Sequence, residues 1–136
     1  MEKLPKVCEC MDQVVPTLSP DTPIVKAISF LLRHRVTGAP VVDHKGKLLG
    51  IITETDLLRL ITEGVDSKPP VKAKVSDFMT SEVVTVPSTV DVYYVAGIFN
   101  KSKFRRLPVV DDEQIVGSIT RFDLLRVIQE YSPKYW

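Results

Sequence analysis

The second half of this chain repeats the first, and that restricts the folds open to it more than any other feature. Residues 7–61 lie over residues 75–128, with Met11 on Met79. Ala39-Pro40-Val41-Val42-Asp43 matches Leu107-Pro108-Val109-Val110-Asp111. Gly50-Ile51-Ile52-Thr53-Glu54-Thr55-Asp56-Leu57-Leu58-Arg59 matches Gly117-Ser118-Ile119-Thr120-Arg121-Phe122-Asp123-Leu124-Leu125-Arg126. Pro20-Asp21-Thr22 is laid on Pro87-Ser88-Thr89. Between the copies, Gly64, Pro69 and Pro70 stand among charged residues, the composition of an exposed connector. The organisation read from this is a first repeat at 7–62, a linker at 63–74 and a second repeat at 75–131.

Each copy carries the same order of elements. Thr22 before Pro23 predicts a helix start, with Thr as N-cap and Pro at the first helical position, and Thr89 takes that role in the second copy. Ile24, Ala27, Ile28, Leu31 and Leu32 recur at helical spacing, as do Val92, Val95, Ala96 and Phe99. Pro40-Val41-Val42 and Leu48-Leu49-Gly50-Ile51-Ile52 read as the arms of a hairpin turning at residues 44–47; the second hairpin turns at 111–114. A last helix follows at 55–61 and 123–131, the first of these closed by Gly64. The runs Val14-Val15 and Val83-Val84-Thr85-Val86 predict one further strand per copy. The fold class is α/β (α+β): two repeats, each a small sheet with two helices. Neither copy, at roughly 55 residues, can bury both faces of so small a sheet, so the two are expected to share a core about a pseudo-twofold axis.

Several function classes drop out on composition. Eighteen basic residues stand against seventeen acidic ones, which leaves no bulk field to hold nucleic acid or an anionic membrane. Cys8 and Cys10 are one residue apart, and neither they nor His34 and His44 form a spaced metal motif. The thiols are read as reduced and inert. No apolar signal core or membrane-length run is present, so the chain reads as cytoplasmic. No nucleophile with a base, P-loop or dinucleotide pattern is visible, so it reads as not an enzyme.

The twice-repeated apolar-Pro-Val-Val-Asp run and the Gly-x-x-Thr-x-x-Asp entry into the last helix resemble the CBS domain, over nearly the whole chain. The resemblance implies a paired regulatory module that senses AMP, ADP, ATP or an S-adenosyl compound such as S-adenosylmethionine, without a catalytic cofactor. It also implies clefts between the repeats, a homodimer and an unidentified target protein.

From the residues themselves, a strand ending in Thr53 or Thr120 and turning into a helix offers backbone N–H groups to a phosphate, and the Thr can add a hydroxyl. Asp56 or Asp123 offers two acceptors to a ribose diol. The same residues equally fit a plain helix start, with Thr as N-cap and Asp as first-turn acid. The family resemblance assigns them to phosphate and ribose. By the same resemblance the Asp123 cleft would combine Thr120, Asp123 and Arg106 with Val36, Thr37 and the backbone near Pro16. The Asp56 cleft would combine Thr53 and Asp56 with Phe104, Arg105 and the strand around Val84. Arg121 is a further phosphate candidate; Glu54 stands at the matching place in the first copy and would repel phosphate, which makes the Asp123 cleft the expected nucleotide site. The alternatives are a dimerising scaffold with degenerate clefts, or nucleic-acid binding through Lys101, Lys103, Arg105 and Arg106.

Overall fold

A computed structural model describes residues 4–63 and 73–131; Gly64, most of the connector, Tyr135 and Trp136 lie outside the described residues. The first copy contains α1 (Val7–Cys10), α2 (Ile24–His34), β1 (Gly38–Val42), β2 (Leu48–Thr53) and α3 (Glu54–Thr62). The second contains α4 (Val75–Phe78), α5 (Val92–Lys101), β3 (Arg106–Asp111), β4 (Gln114–Thr120) and α6 (Arg121–Tyr131).

The compact units do not coincide with the sequence repeats. One unit holds described residues 16–63 and 73–83, the other 4–15 and 84–131, so each repeat contributes its opening short helix to the other repeat's unit. A four-residue helix cannot hold itself in water. Val7 of α1 and Val75 of α4 are both fully buried, each worth about 1.5–3 kcal/mol on the usual apolar scale, and they anchor the exchange. Val7 joins Val86, Val95, Phe99, Leu107, Val109 and Ile119 in one core. Val75 joins Leu18, Ile24, Ala27, Leu31, Ala39, Val41, Ile52 and Ala73 in the other.

The backbone repeats the exchange bond for bond. Val75 N donates to Thr22 O at 2.9 Å and Ser76 N to Pro20 O at 3.0 Å; Val7 N donates to Val90 O at 2.8 Å and Cys8 N to Ser88 O at 3.0 Å. Thr22 therefore matches Val90, not Thr89, and the expected caps are corrected. The N-cap positions are Pro23, which has no side-chain bond, and Asp91, whose carboxylate accepts from Tyr94 N at 3.1 Å. Pro23 is extended because it bridges Lys74, and Asp91 bridges Lys6 in the same way.

Each unit's sheet is an antiparallel pair, Gly38 opposite Thr53 and Arg106 opposite Thr120, with a register shift near Val42 and Val110. The strands expected at Val14-Val15 and Val83–Val86 do not form. Val14 is 76% exposed; what runs beside β1 and β3 is one parallel bridge each, Leu18 to Val41 and Val86 to Val109, while β2 and β4 take the antiparallel bridges Ile51 to Thr80 and Ser118 to Asp12. Leu32, assigned to the apolar face of α2, is 73% exposed; Ile24, Ala27 and Leu31 form the buried stripe.

The hairpins turn differently. In the second, Asp112 (φ 50°) and Glu113 (φ 67°) make a two-residue turn of the twist that hairpins favour. In the first, the Asp43 carboxylate accepts from Lys45 N and Lys47 N, and Gly46 takes φ 85°. Asp111, freed from that duty, accepts from Ser88 Oγ at 2.5 Å and Ser88 N at 3.0 Å. The hydroxyl, then the amide, hold the Asp111 carboxyl below its ordinary value of 3.8. A depressed acid adds stability above its unfolded value, and that stability is lost as pH falls through the folded one. Ser88→Ala should therefore raise the Asp111 value in a carboxylate NMR titration and weaken the acid dependence of unfolding below about pH 4. An unchanged titration would place the hydroxyl elsewhere.

The two thiols are also told apart. Cys8 is exposed, whereas Cys10 is half-buried and its thiol faces Lys6 O and Val7 O at 3.5 and 3.6 Å. Burial first, then the charge of Asp123, pushes Cys10 up to about 11. At pH 8 such a thiol is about 0.1% thiolate, so iodoacetamide should modify Cys8 quickly and Cys10 only slowly until the chain is unfolded. Two equally fast thiols in the native protein would contradict this packing.

Candidate functional site

The two Gly-x-x-Thr-x-x-Asp segments form the same structure. In the first unit β2 ends at Thr53 and α3 begins at Glu54. Asp56 Oδ2 accepts from Thr53 N at 2.9 Å and from Thr53 Oγ1 at 3.0 Å, and Asp56 N donates back to Thr53 Oγ1 at 3.4 Å. In the second unit Asp123 Oδ2 accepts from Thr120 N at 2.8 Å and Thr120 Oγ1 at 3.1 Å, and Asp123 N donates to Thr120 Oγ1 at 3.3 Å. This is a reciprocal cap that satisfies helix-start donors. The single hydroxyl hydrogen of each Thr is spent on its Asp, so in this geometry neither Thr offers it outward.

What remains is the other carboxylate oxygen, and there the copies differ. Asp56 Oδ1 accepts from the Thr80 hydroxyl at 3.1 Å. Asp123 Oδ1 accepts from Arg126 at 2.7 Å, an ion pair between an acid side chain 8% exposed and an arginine side chain 71% exposed. The position matching Thr80 is Asp12, a carboxylate with no hydrogen to give, and it accepts from Val14 N instead. Arg59, the counterpart of Arg126, pairs with Glu63 at 3.2 Å and lies over the Phe78 ring at 5.3 Å, where the second unit has Cys10. Thr80 and Arg126 were not singled out in the sequence. The signal available was the shared Arg at the end of the matched run, Arg59 and Arg126.

The remaining candidates fall around these junctions. In the first unit Thr37 O accepts from Glu54 N at 2.8 Å, which fixes the chain before β1 against the start of α3. Val36 closes α2, its N–H bonding Leu31 O at 3.1 Å behind the left-handed Arg35, and its side chain packs on the core; Pro16 is half-buried. In the second unit Arg106 sits opposite Thr120 and donates to Ser118 Oγ at 2.7 Å, a fully buried hydroxyl. The first unit has Gly38 and Ile51 at those two places, so that side chain pair exists once. Phe104 and Val84 are each 42% exposed, and Arg105 is exposed. Arg121 is a different case. Its guanidinium donates to Phe99 O at 2.6 Å, Ser102 O at 3.1 Å and Phe104 O at 3.3 Å and lies over the Phe99 ring. It holds the carbonyls at the end of α5, a duty the Arg-for-Glu54 difference does not disclose.

Among the described residues no group of three His, Cys, Asp or Glu side chains could hold a metal ion, and no helix is long and apolar enough to cross a membrane.

Two α/β units, each with an acid held at a strand-to-helix junction by its own threonine, define a paired module of repeats. The chain belongs to the CBS-domain family, whose model matches residues 7–63 and 75–130. It is 39% identical over 112 residues to inosine-5'-monophosphate dehydrogenase of Aquifex aeolicus, which covers 81% of this chain and 22% of that protein. The chain spans less than half the length of the first curated relatives it matches. Among solved structures it is similar to Arabidopsis thaliana CBSX2 in complex with AMP, at 32% identity and TM-score 0.81, covering 92% of this chain and 96% of that one. It is also similar to the CBS domain pair of protein MJ0100 in complex with 5'-methylthioadenosine and S-adenosyl-L-methionine. There the identity is 27% and the TM-score 0.79, over 96% of this chain and 100% of that one.

Proposed function

We propose that the chain is a non-catalytic, cytoplasmic regulatory module that binds an adenosine-containing ligand, AMP, ADP, ATP or an S-adenosyl compound, and passes its occupancy to a target protein. The observation that carries this reading is the pair of junctions at Thr53–Asp56 and Thr120–Asp123. In each, one carboxylate oxygen is fixed by the threonine, and the other is held by a single side chain that a ribose diol can replace. Similarity to chains whose structures contain AMP, 5'-methylthioadenosine and S-adenosyl-L-methionine supports the adenosine class. Arg106 and Arg105 are the candidates for a phosphate end, and Pro16, Val36, Thr37, Val84 and Phe104 for contacts around the base. Calorimetric titration with AMP, ADP, ATP and S-adenosylmethionine tests the reading. Absence of binding by all four at about 1 mM, where the binding free energy would be only about 4 kcal/mol, would overturn it.

We also propose that the module is a homodimer. Leu32 on α2, Leu58 and Ile61 on α3 and Phe122, Leu125 and Ile128 on α6 are 45–73% exposed, more apolar helix surface than a monomer usually leaves bare. A monomer in sedimentation at tens of micromolar would count against it.

A further inference from the structure

The two acids that the proposed function assigns to a ribose are guarded by chemically different groups, and we propose that Arg126 is an intramolecular latch on Asp123 that sets which copy fills first. This rests on the ribose reading of the two acids and adds to it a residue that governs occupancy. Asp56 offers its outer oxygen behind a neutral hydroxyl, Thr80 at 3.1 Å. Asp123 offers the equivalent oxygen behind a cation, Arg126 at 2.7 Å. A diol entering at Asp56 exchanges one hydroxyl–carboxylate hydrogen bond for another and breaks no ion pair. A diol entering at Asp123 must break an ion pair on an acid that is nearly buried, a cost that solvent around the exposed arginine partly screens.

The difference is built into the repeat. Asp12 replaces Thr80 and cannot donate, so the Asp123 carboxylate is left to the arginine one turn further along α6. In the first copy the same arginine pairs with Glu63 and lies over the Phe78 ring; the second copy keeps a glutamate at the matching place, Glu130, but has Cys10 where that ring would be, so the ring is the part of the hold on Arg59 that the second copy lacks. The Arg126 side chain is 71% exposed, so it swings into solvent without disturbing the core, and added salt weakens its hold. The first copy therefore fills before the second for a neutral nucleoside, and the second gains affinity as ionic strength rises.

Adenosine is the probe, because it has the diol and no phosphate that could itself attract a released arginine. In an Asp56→Asn background, which leaves only the Asp123 site, Arg126→Met should bind adenosine about 3- to 10-fold more tightly than the parent, the range a partly exposed ion pair can supply. Parent affinity should rise as NaCl goes from about 20 mM to about 500 mM, and that dependence should vanish in Arg126→Met. Arg126→Lys, which keeps the cation, should restore it. Thr80→Val, read at the Asp56 site in an Asp123→Asn background, should show no salt dependence.

A second readout needs no ligand: guanidinium rotation of Arg126 by NMR should be slowed in the wild-type chain and released in Asp123→Asn. Free rotation in the wild type would overturn the latch. Adenosine binding that is unchanged or weakened by Arg126→Met would overturn it as well and leave the proposed function standing. Slowed rotation with no adenosine or AMP bound by any variant would overturn the ribose reading, and the ordering of sites with it.

Discussion

Gly117→Ala should lower stability to urea by about 1–3 kcal/mol, the cost of overfilling a packed site. A methyl group at Gly117 would lie 2.6 Å from Met11 Sδ and 2.8 Å from Asp12 O. The sulfur can move, but the carbonyl cannot, because Asp12 O accepts from Ser118 N and Asp12 N donates to Ser118 O, both at 2.9 Å. Gly50 is built alike, with Thr80 O at 2.7 Å and Met79 Sδ at 3.0 Å from the same added atom. The exchanged segments are thus seated on glycine in both units, and Gly50→Ala should behave as Gly117→Ala does. Gly97, inside α5, meets nothing within 4 Å, and Gly97→Ala should stabilise by about 0.5–1 kcal/mol through helix propensity. Opposite signs from the same substitution would locate the cost in the docked segment. A neutral Gly117→Ala would mean that Met11 and Asp12 do not rest on β4.

Much of this fold was legible because the repeat and the hydrophobic spacing speak for themselves. Both hairpins, the long helices and the Gly-x-x-Thr-x-x-Asp junctions lie where the pattern puts them. The misreadings share a cause. Val14-Val15 and Val83–Val86 have the composition of strands, yet strand propensity measures fit to a half-buried surface, and of those residues only Val86 bridges the sheet, the first copy making its bridge at Leu18 instead. The expected Thr22 cap failed because its carbonyl is taken by Val75 N, a residue more than fifty positions away. Local capping rules do not see a segment that returns from the other repeat. The site was half-legible for a related reason. Spacing alone brings Thr120 and Asp123 together, but Thr80 reaches Asp56, and Arg121 reaches Phe99 O, only through the tertiary path of the chain.

Asp123→Asn should have the largest effect on the binding of phosphate-bearing nucleotides, whose phosphate end Arg106 is proposed to meet beside Asp123, and a measurable effect without ligand. Were Asp123 only a first-turn cap, asparagine would replace it at a cost of a few tenths of a kcal/mol. The carboxylate does more, since its Oδ1 also takes the charged bond from Arg126 while Oδ2 takes two from Thr120. An amide that keeps its oxygen toward Thr120 turns its N–H groups toward the guanidinium, donor against donor. The ligand-free protein should therefore lose about 1–2 kcal/mol, short of a fully buried pair because Arg126 is largely in solvent. Asp56→Asn should cost less, since the Thr80 hydroxyl can rotate and accept where it had donated. Cys10 supplies an internal gauge. The Asp123 charge helps to raise its thiol toward 11, so the variant should lower that value and speed alkylation of Cys10 at pH 8 without unfolding α1. Adenine-nucleotide affinity should fall about 10- to 150-fold, the loss of charged hydrogen bonds to a diol, and the thermal shift at a fixed nucleotide concentration should shrink accordingly. If stability and Cys10 reactivity change as described while nucleotide affinity does not, Asp123 is a structural acid held by Arg126, and the ribose must be bound elsewhere.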